Sequence, residues 1–157
     1  MEFRRAVIQD ASDLLVWRND PDTIANSLTG KAVAEADHFA WIARVLASPD
    51  FILLMAEQAG EKLGMVRFDR EEDGEWEVSI NLNPAARGRG LAADLLAGSI
   101  AAAFPAGARP PLVAWVKQSN PASLRIFERC GFIHEGDEDG VETFRLAPSC
   151  GDGGRMP

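Results

Sequence analysis

The chain contains no tyrosine, two cysteines and two histidines in 157 residues. Cys130 falls in a predicted helix and Cys150 in a glycine-rich tail, which argues against a framework disulfide. Neither cysteine is spaced from a histidine as zinc ligands are, so no metal site is predicted. Because tyrosine is absent, no phenolic hydroxyl can donate or accept a proton in this protein.

Long apolar runs and an excess of basic residues are also absent. No stretch approaches the roughly 20 apolar residues of a membrane span, and residues 1–9 do not resemble a signal peptide. We therefore expect a soluble, cytoplasmic protein without a membrane partner. A formal net charge of −8 argues against nucleic acid as a partner, because phosphate contacts need a basic face.

Hydrophobic periodicity predicts a single mixed α/β domain over residues 1–147, followed by a disordered tail over residues 148–157. Residues 22–34 show no clear period and are predicted as loop with a short helix. Strands are predicted at residues 3–9, 51–57, 62–68, 76–82, 112–116, 132–134 and 141–146. Longer helices are predicted to begin at Asp10, Glu35, Gly90 and Asn120, with Asp10 and Asn120 as N-caps.

The segment between the fourth predicted strand and the next helix contains Gly88 and Gly90 beside Arg87 and Arg89. Glycines let a backbone approach an anion closely, and a helix start presents unpaired N–H groups at the positive end of its dipole. The third glycine of the dinucleotide fingerprint and the Lys-Ser/Thr of a Walker loop are missing. The segment therefore indicates a pyrophosphate-like site, or alternatively a glycine-rich helix entry with solvated arginines.

A second motif follows about thirty residues later. The R-x-x-G-x-A pattern of residues 87–92 and the N-x-x-S-L-x-x-F-x-x-x-G-F pattern of residues 120–132 together resemble the GNAT acetyltransferase superfamily. The resemblance covers nearly the whole chain. It implies the GNAT fold, an α/β (α+β) domain with a central, mostly antiparallel mixed sheet of about seven strands and about four helices. It also implies an N-acetyltransferase that uses acetyl-CoA.

The resemblance assigns cofactor contacts to three segments. The end of the fourth strand would pair with the pantetheine arm, the glycine loop would hold the pyrophosphate, and the later helix would contact the arm. Asn120, by itself an N-cap, would contact the arm or an ordered water. The implied residues are Asn81, Leu82, Asn83, Arg87, Gly88, Arg89, Gly90, Leu91, Ala92, Asn120, Ser123 and Phe127.

The reaction calls for a general base, because a primary amine is mostly protonated at pH 7 and attacks a thioester only when neutral. Glu77 and Ser79 lie on the polar face of the alternating strand 76–82, and Glu77 falls where many GNAT enzymes place a base. Glu77 is the leading catalytic candidate, and Ser79 and Asn120 are the further catalytic candidates. The alternative for Glu77 is a solvated carboxylate on a strand face.

Phe127 stands where the family often has the tyrosine that acts as acid. The leaving thiolate, with an ordinary thiol pKa of about 8.5, could be protonated by water or by the new ammonium. His38 or Ser123 could also serve. Because this tyrosine is missing, a second function remains an alternative: a non-catalytic module that only binds acyl-CoA.

In GNAT proteins the region between the first two strands usually lines the acceptor site. Here Trp17, Arg18, Asn19, His38 and Trp41 form a pattern similar to the amino-sugar N-acetyltransferases of the pseudaminic acid pathway. Ribosomal-protein acetyltransferases of the RimJ and RimL kind look related. The tryptophans could stack on a ring and Arg18 could pair with a phosphate. Alternatively, both tryptophans are core, and Arg18 and Asn19 cap the first helix.

The sequence thus predicts a transferase acting on a small-molecule primary amine, with a nucleotide-linked amino sugar favoured. Acetylation of a protein N-terminus or lysine is the alternative, and the acidic charge mildly disfavours ribosomal substrates. A homodimer is compatible with the sequence.

Overall fold

The computed structural model describes residues 1–105 and 107–149. Within these ranges the chain forms seven strands and five α-helices. The strands are β1 (Glu2–Arg5), β2 (Phe51–Gln58), β3 (Glu61–Arg70), β4 (Trp76–Leu82), β5 (Leu112–Lys117), β6 (Ile133–Glu138) and β7 (Val141–Leu146). The helices are α1 (Ala11–Arg18), α2 (Pro21–Asn26), α3 (Glu35–Ala47), α4 (Ala92–Ala103) and α5 (Pro121–Arg129).

The strands form one sheet in the order β1-β2-β3-β4-β5-β7-β6. Neighbouring strands are antiparallel except β4 and β5, which run parallel and pair only through Trp76 with Leu112 and Glu77 with Val113. Beyond Glu77 the ladder between them ends, so residues 78–82 have no partner in β5. The predicted α/β fold, with a mostly antiparallel mixed sheet of seven strands, is confirmed.

Each face of the sheet carries its own core, because successive side chains of a strand point to opposite faces. On one face Val78 of β4 packs with Leu95 of α4 and Phe127 of α5. On the other face Met55 of β2 packs with α1 and α3 through residues such as Ile42. A buried side chain of this kind stabilises the fold by about 1.5–3 kcal/mol. The central strands are therefore fixed from both sides.

The structure has five α-helices: the four longer ones that were predicted, and the short α2, which lies where a short helix was expected within residues 22–34. The carboxylate of Asp20 accepts hydrogen bonds from the N–H groups of Asp22 and Thr23, and Pro21 occupies the first helical position. An N-cap and an N-terminal proline are enough to start this helix without an apolar stripe.

Two strand ends differ from the prediction by four residues. β1 ends at Arg5 and is followed by a 3₁₀ turn, Ile8–Asp10, rather than continuing to residue 9. Residues 135–138, predicted as part of an acidic turn, lie in β6 because they pair with β7. The turn is confined to Asp139 and Gly140, which both have positive φ.

Asp10 precedes α1 as predicted, but its side chain does not cap the helix. Its carboxylate, 2% exposed, accepts hydrogen bonds from Arg4 at 2.8 and 2.9 Å and lies 2.8 Å from Nζ of Lys62. The N–H of Val7 also donates to it at 2.9 Å. These partners, Arg4 above all, hold the pKa of Asp10 well below its usual range. The buried carboxylate thus ties β1 to β3 at the start of α1.

Only the first part of the predicted tail can be described. Ser149 forms an isolated antiparallel bridge with Arg109. Residues 150–157, including Cys150, lie outside the described residues. In the ranges that the structure covers, no helix combines the length and the apolar character needed to cross a membrane.

Candidate active site

A cleft of about 1120 Å³ opens where β4 and β5 stop pairing. Its walls come from both faces of the sheet: α1, α2 and α3 on one side, and α4 and α5 on the other. This volume exceeds the roughly 300–1,000 Å³ of pockets that hold one drug-sized ligand. The cleft can therefore accept two ligands, one from each face.

The glycine loop borders the cleft on the α4 side. Gly88 and Gly90 have φ values of +73° and +71°, a backbone conformation that glycine adopts without strain. No atom lies within 4 Å of where a Cβ would stand at either position. None of the turn and loop hydrogen bonds in the described residues uses an N–H of residues 88–91. The loop and the α4 N-terminus thus present free donors, as an anion site requires.

The two loop arginines are already paired. Arg87 donates to Asp20 at 2.7 Å and to Oγ1 of Thr23 at 2.8 Å, and Arg89 donates to Glu61 at 2.9 Å. Arg87 lines the cleft, whereas Arg89 does not. Neither arginine is the freely solvated side chain of the alternative interpretation. Their charges are offset by carboxylates, so the backbone donors and the helix dipole carry most of the attraction for an anion.

The residues at the end of β4 have two roles: some line the cleft, and Asn83 stabilises the turn that follows. Asn81 and Leu82 line the cleft, and Oδ1 of Asn81 accepts a hydrogen bond from Thr23 of α2. Asn83 does not line it. The Asn83 side chain accepts from the N–H of Ala85 at 3.0 Å and donates to the carbonyl of Lys62 at 2.8 Å. Its side chain therefore shapes the turn into the glycine loop.

The start of α5 forms another wall. Asn120 caps the helix as predicted, because its Oδ1 accepts from the N–H of Ser123, and its Nδ2 donates to Oγ of Ser123 at 3.0 Å. Phe127 is buried and packs edge-to-face against Phe132. Asn120, Ser123 and Phe127 all border the cleft, together with Leu91 and Ala92 from the loop.

Glu77 lies in the cleft wall on the α1–α3 face of β4. Burial and, after it, the negative charge of Asp69 raise the pKa of its carboxyl to about 7, although the charge of Arg67 acts in the opposite direction. The register places Asp69 opposite Glu77 and Arg67 opposite Ser79, so the four side chains share one face of the sheet. A carboxyl that titrates near neutrality suits a general base.

Arg67, which lines the cleft, and Asp69, which lies opposite Glu77, were not among the predicted site residues. Nε of Arg67 lies 2.7 Å from Oδ1 of Asp69 as an ion pair, although the N–H is not aligned as in a hydrogen bond. The guanidinium lies 5.2 Å from the ring centre of Trp41. Alternation within β3, which puts both polar residues on the face of Met65, is the signal that could have found them. Other lining residues that were not predicted include Thr23, Trp115, Arg125 and Arg129.

The five predicted acceptor residues divide into two groups. Arg18, His38 and Trp41 line the cleft, whereas Trp17 and Asn19 do not. Trp17 is buried in the α1–α3 core, as the alternative interpretation predicted. Asn19 bonds both the N–H and the carbonyl of Val33 at 2.8 Å and so secures the segment after α2.

His38 is buried, and its Nε2–H donates to the carbonyl of Ala11 at 2.9 Å. This bond joins α3 to α1. No group of three or more His, Cys, Asp or Glu in the described part of the chain could hold a metal ion.

A comparison with protein families finds that the model described as "Acetyltransferase (GNAT) domain" matches residues 1–133. No curated protein matches the chain. Among solved structures, spermidine N-acetyltransferase from Vibrio cholerae in complex with CoA and spermine has a TM-score of 0.79 at 16% identity, over 92% of this chain and 94% of that chain.

Two further structures are similar. The ribosomal-protein-alanine N-acetyltransferase from Brucella melitensis has a TM-score of 0.75 at 23% identity, over 94% of this chain and 99% of that chain. An N-acetyltransferase from Staphylococcus aureus Mu50 has a TM-score of 0.75 at 26% identity, over 93% and 97%.

Proposed function

The chain belongs to the GNAT acetyltransferase family, and we propose that it acetylates a primary amine of a small molecule with Glu77 as general base. It is an acyltransferase whose cosubstrate is acetyl-CoA. The observation that carries the assignment of the base is the position of Glu77: a half-buried carboxyl with a pKa of about 7, in the cleft wall where β4 and β5 part.

The residues present fit acetyl-CoA. The free N–H groups of residues 88–91 and the α4 N-terminus suit the pyrophosphate. The edge of residues 78–82 that has no partner in β5 suits the pantetheine arm. Asn120, Ser123 and Phe127 border the same space. When bound, acetyl-CoA supplies a thioester whose acetyl group is the group transferred.

Glu77 accepts a proton from the acceptor. In its ionised form the carboxylate takes the proton of the ammonium, directly or through a water, and leaves a neutral amine on the α1–α3 face of β4. Ser79 is two residues farther along the same face and lines the cleft, where its hydroxyl can help to orient that amine.

The departing thiolate takes its proton from water or from the new ammonium, and the hydrogen bond that a protein group donates to the sulfur comes from Ser123 rather than from His38. The Nε2–H of His38 is already donated to Ala11. The Ser123 oxygen accepts a hydrogen bond from Asn120, which leaves the Ser123 hydroxyl hydrogen free to be donated. Phe127, buried beside them, has no proton to give. Ser123 is therefore the protein group that we propose for this role, with Asn120 positioning it.

The acceptor that we favour is a nucleotide-linked amino sugar. Trp41 and Arg18 line the α1–α3 side of the cleft and offer a ring surface and a cation. The segment at α2 crosses from β4 to β5, since Thr23 bonds Asn81 and Lys117 donates to the carbonyl of Ala25 at 3.0 Å. This crossing narrows the cleft, which favours a small acceptor over a protein surface. The relatives are named for spermidine and for ribosomal-protein alanine, so they favour no single acceptor.

The test is CoA release from acetyl-CoA with a panel of amines that includes amino sugars, a polyamine and an N-terminal peptide. Wild-type protein should release CoA with at least one small amine. Tight CoA binding without release by any amine would instead identify a module that binds acyl-CoA without turnover, and release with the peptide alone would identify a protein acetyltransferase.

The role of Glu77 is tested by Glu77→Gln, with the exposed turn residue changed in Glu72→Gln as the control. Loss of a positioned base should lower kcat/KM by about 10²–10⁴-fold and remove the rise in kcat/KM near pH 7. The control should keep the wild-type kcat/KM and its rise near pH 7. A Glu77→Gln variant whose pH–rate profile matches the wild type would exclude Glu77 as the base.

A further inference from the structure

Arg18 is the last residue of α1 and points into the α1–α3 side of the cleft. Its Nη2 makes one long contact, 3.4 Å to Oγ1 of Thr29. Its Nη1 is buried and has no hydrogen-bond partner among the protein groups that the structure describes. A buried donor on a charged group lacks compensation unless a ligand supplies an acceptor.

Arg67 places a second guanidinium within electrostatic range of the first. Burial lowers the pKa of Arg18, and the positive charge of Arg67 lowers it further. Arg67 has Asp69 as its ion-pair partner and lies over Trp41, whereas Arg18 has no carboxylate partner in the described residues. Two like charges facing one cleft, one of them unpaired, form a surface that attracts an anion.

Three acidic residues line this cleft, Asp22, Asp37 and Glu77, and Asp69 lies next to Glu77. Asp22 lies 3.4 Å from Arg87, Asp69 is paired with Arg67, and Glu77 titrates near pH 7. Asp37 is exposed at the start of α3. None of these carboxylates bonds Arg18.

We propose that Arg18 and Arg67 bind an oxyanion, a phosphate or a carboxylate, that the acceptor carries on the same molecule as its amine. The inference rests on the proposed transferase function and narrows the substrate class, because it disfavours polycations. A guanidinium recognises both oxyanions through paired N–H donors.

The register places Arg67 opposite Ser79, with Glu77 two residues away along β4. The groups proposed for the oxyanion and for the amine of one acceptor therefore lie on the same face of the sheet. A phosphorylated amino sugar or an ω-amino acid carries both an amine and an oxyanion.

Matched pairs of acceptors test the proposal. Glucosamine 6-phosphate is compared with glucosamine, and 6-aminohexanoate with its amide, so that each pair differs in the anion alone and the two pairs separate phosphate from carboxylate. The wild type should prefer the anionic member of at least one pair by about 10- to 100-fold in kcat/KM. Equal values within both pairs would overturn the proposal and leave the transferase function intact.

The variants are Arg18→Met and Arg18→Lys, with Arg44→Met on the exposed surface of α3 as the control. Arg18→Met should remove the preference for the anion by lowering kcat/KM for the anionic member of a pair about 10- to 100-fold more than for the neutral member, whereas Arg44→Met should leave the preference as in the wild type. Arg18→Lys should keep part of the preference. If Arg18→Met lowers the rate with both members of a pair equally, the role of Arg18 is structural and the proposal is wrong.

Calorimetric titration of the same four compounds in the presence of saturating CoA gives a readout that needs no turnover. Binding of an anionic member that Arg18→Met weakens and Arg44→Met does not would support the oxyanion site even if no amine is acetylated, in which case the transferase proposal alone fails. No binding of either anionic member to the wild type, together with no anion preference in turnover, would refute the site.

Discussion

Asp69 of β3 and Glu77 of β4 are directly opposed on one face of the sheet, and Glu77 lines the cleft. Burial raises the pKa of each of these groups, and the charge of Asp69 adds to the effect on Glu77. Two carboxyls held together resist ionising together. The pairing of two strands thus sets the pH at which the proposed base becomes active.

Asp69→Asn should move the acidic limb of the kcat/KM profile to lower pH. The substitution removes the negative charge that raises the pKa of Glu77 and leaves the charge of Arg67, which lowers that pKa, without its partner. Both changes act in the same direction. The measurement is kcat/KM from pH 5 to pH 9, with Asp139→Asn in the exposed β6–β7 turn as the control. A limb that stays near pH 7 in Asp69→Asn would show that the two carboxyls are not coupled.

Glu77→Gln should make the protein more stable than the wild type at pH 8 but not at pH 5. Because the folded-state pKa of Glu77 is raised from 4.5 to about 7, folding favours its protonated form, and wild-type stability falls as pH rises from about 4.5 to 7. Glutamine has no such dependence. After allowance for solvent screening, we expect a difference of about 1–2 kcal/mol in the free energy of unfolding at pH 8.

Urea denaturation of both proteins at the two pH values measures this difference. If the difference in the free energy of unfolding does not increase between pH 5 and pH 8, the pKa of the Glu77 carboxyl is not raised in the folded protein.

Gly90→Ala should weaken CoA binding. Its φ of +71° strains any side chain, and relief of that strain would turn the free N–H groups of the loop away from the pyrophosphate. Gly74→Ala is the matched control, because Gly74 has a φ of +86° and equally open surroundings but lies in the β3–β4 turn. Both variants should lose roughly 1–2 kcal/mol of stability. Only Gly90→Ala should raise the Kd for CoA, by about tenfold.

Titration calorimetry with CoA and urea denaturation separate the two effects. The same rise in Kd in both variants would trace it to lost stability, and no rise in Gly90→Ala would argue against this loop as the pyrophosphate site.

Asp10→Asn should destabilise the protein by about 2–4 kcal/mol, because Arg4 and Lys62 would lose the buried charge that they share. The exposed Asp13, 52% accessible and also bound to Lys62, provides the control. Asp13→Asn should change stability by less than about 1 kcal/mol. Because the pKa of Asp10 is lowered in the folded state, its contribution is present above about pH 4 and is lost as pH falls.

Urea denaturation of the three proteins at pH 7 and at lower pH measures both effects. Equal losses of unfolding free energy in Asp10→Asn and Asp13→Asn would show that the burial of Asp10 does not increase its contribution to stability.

Local patterns in the sequence predict the parts of this fold that depend on local chemistry. The alternation in β4 predicts the face on which Glu77 lies, and the Asn-Pro start of α5 predicts its cap, because each follows from backbone geometry within a few residues. The short α2 has no apolar stripe. It is held by Asp20 and by the contact of Arg87 with Thr23.

The unpredicted parts of the site depend on residues far apart in the chain. The local sequence predicts Asp10 as a helix N-cap, but its carboxylate forms an ion pair with Lys62, more than fifty residues away in the chain. Arg67 and Asp69 enter the site only through the register of β3 against β4. The hydrophobic periodicity and the composition of the sequence do not reveal that register. The alternation in β4 therefore indicates Glu77 as a base but does not indicate which residues set its pKa.

The parting of β4 and β5 leaves one cleft that reaches both faces of the sheet, with the glycine loop towards one side and Arg18 and Trp41 towards the other. Two substrates entering from opposite faces do not compete for one entrance. Both can be present at once, and the acyl group can pass directly between them. Steady-state rates measured over both concentrations should therefore give intersecting rather than parallel reciprocal plots.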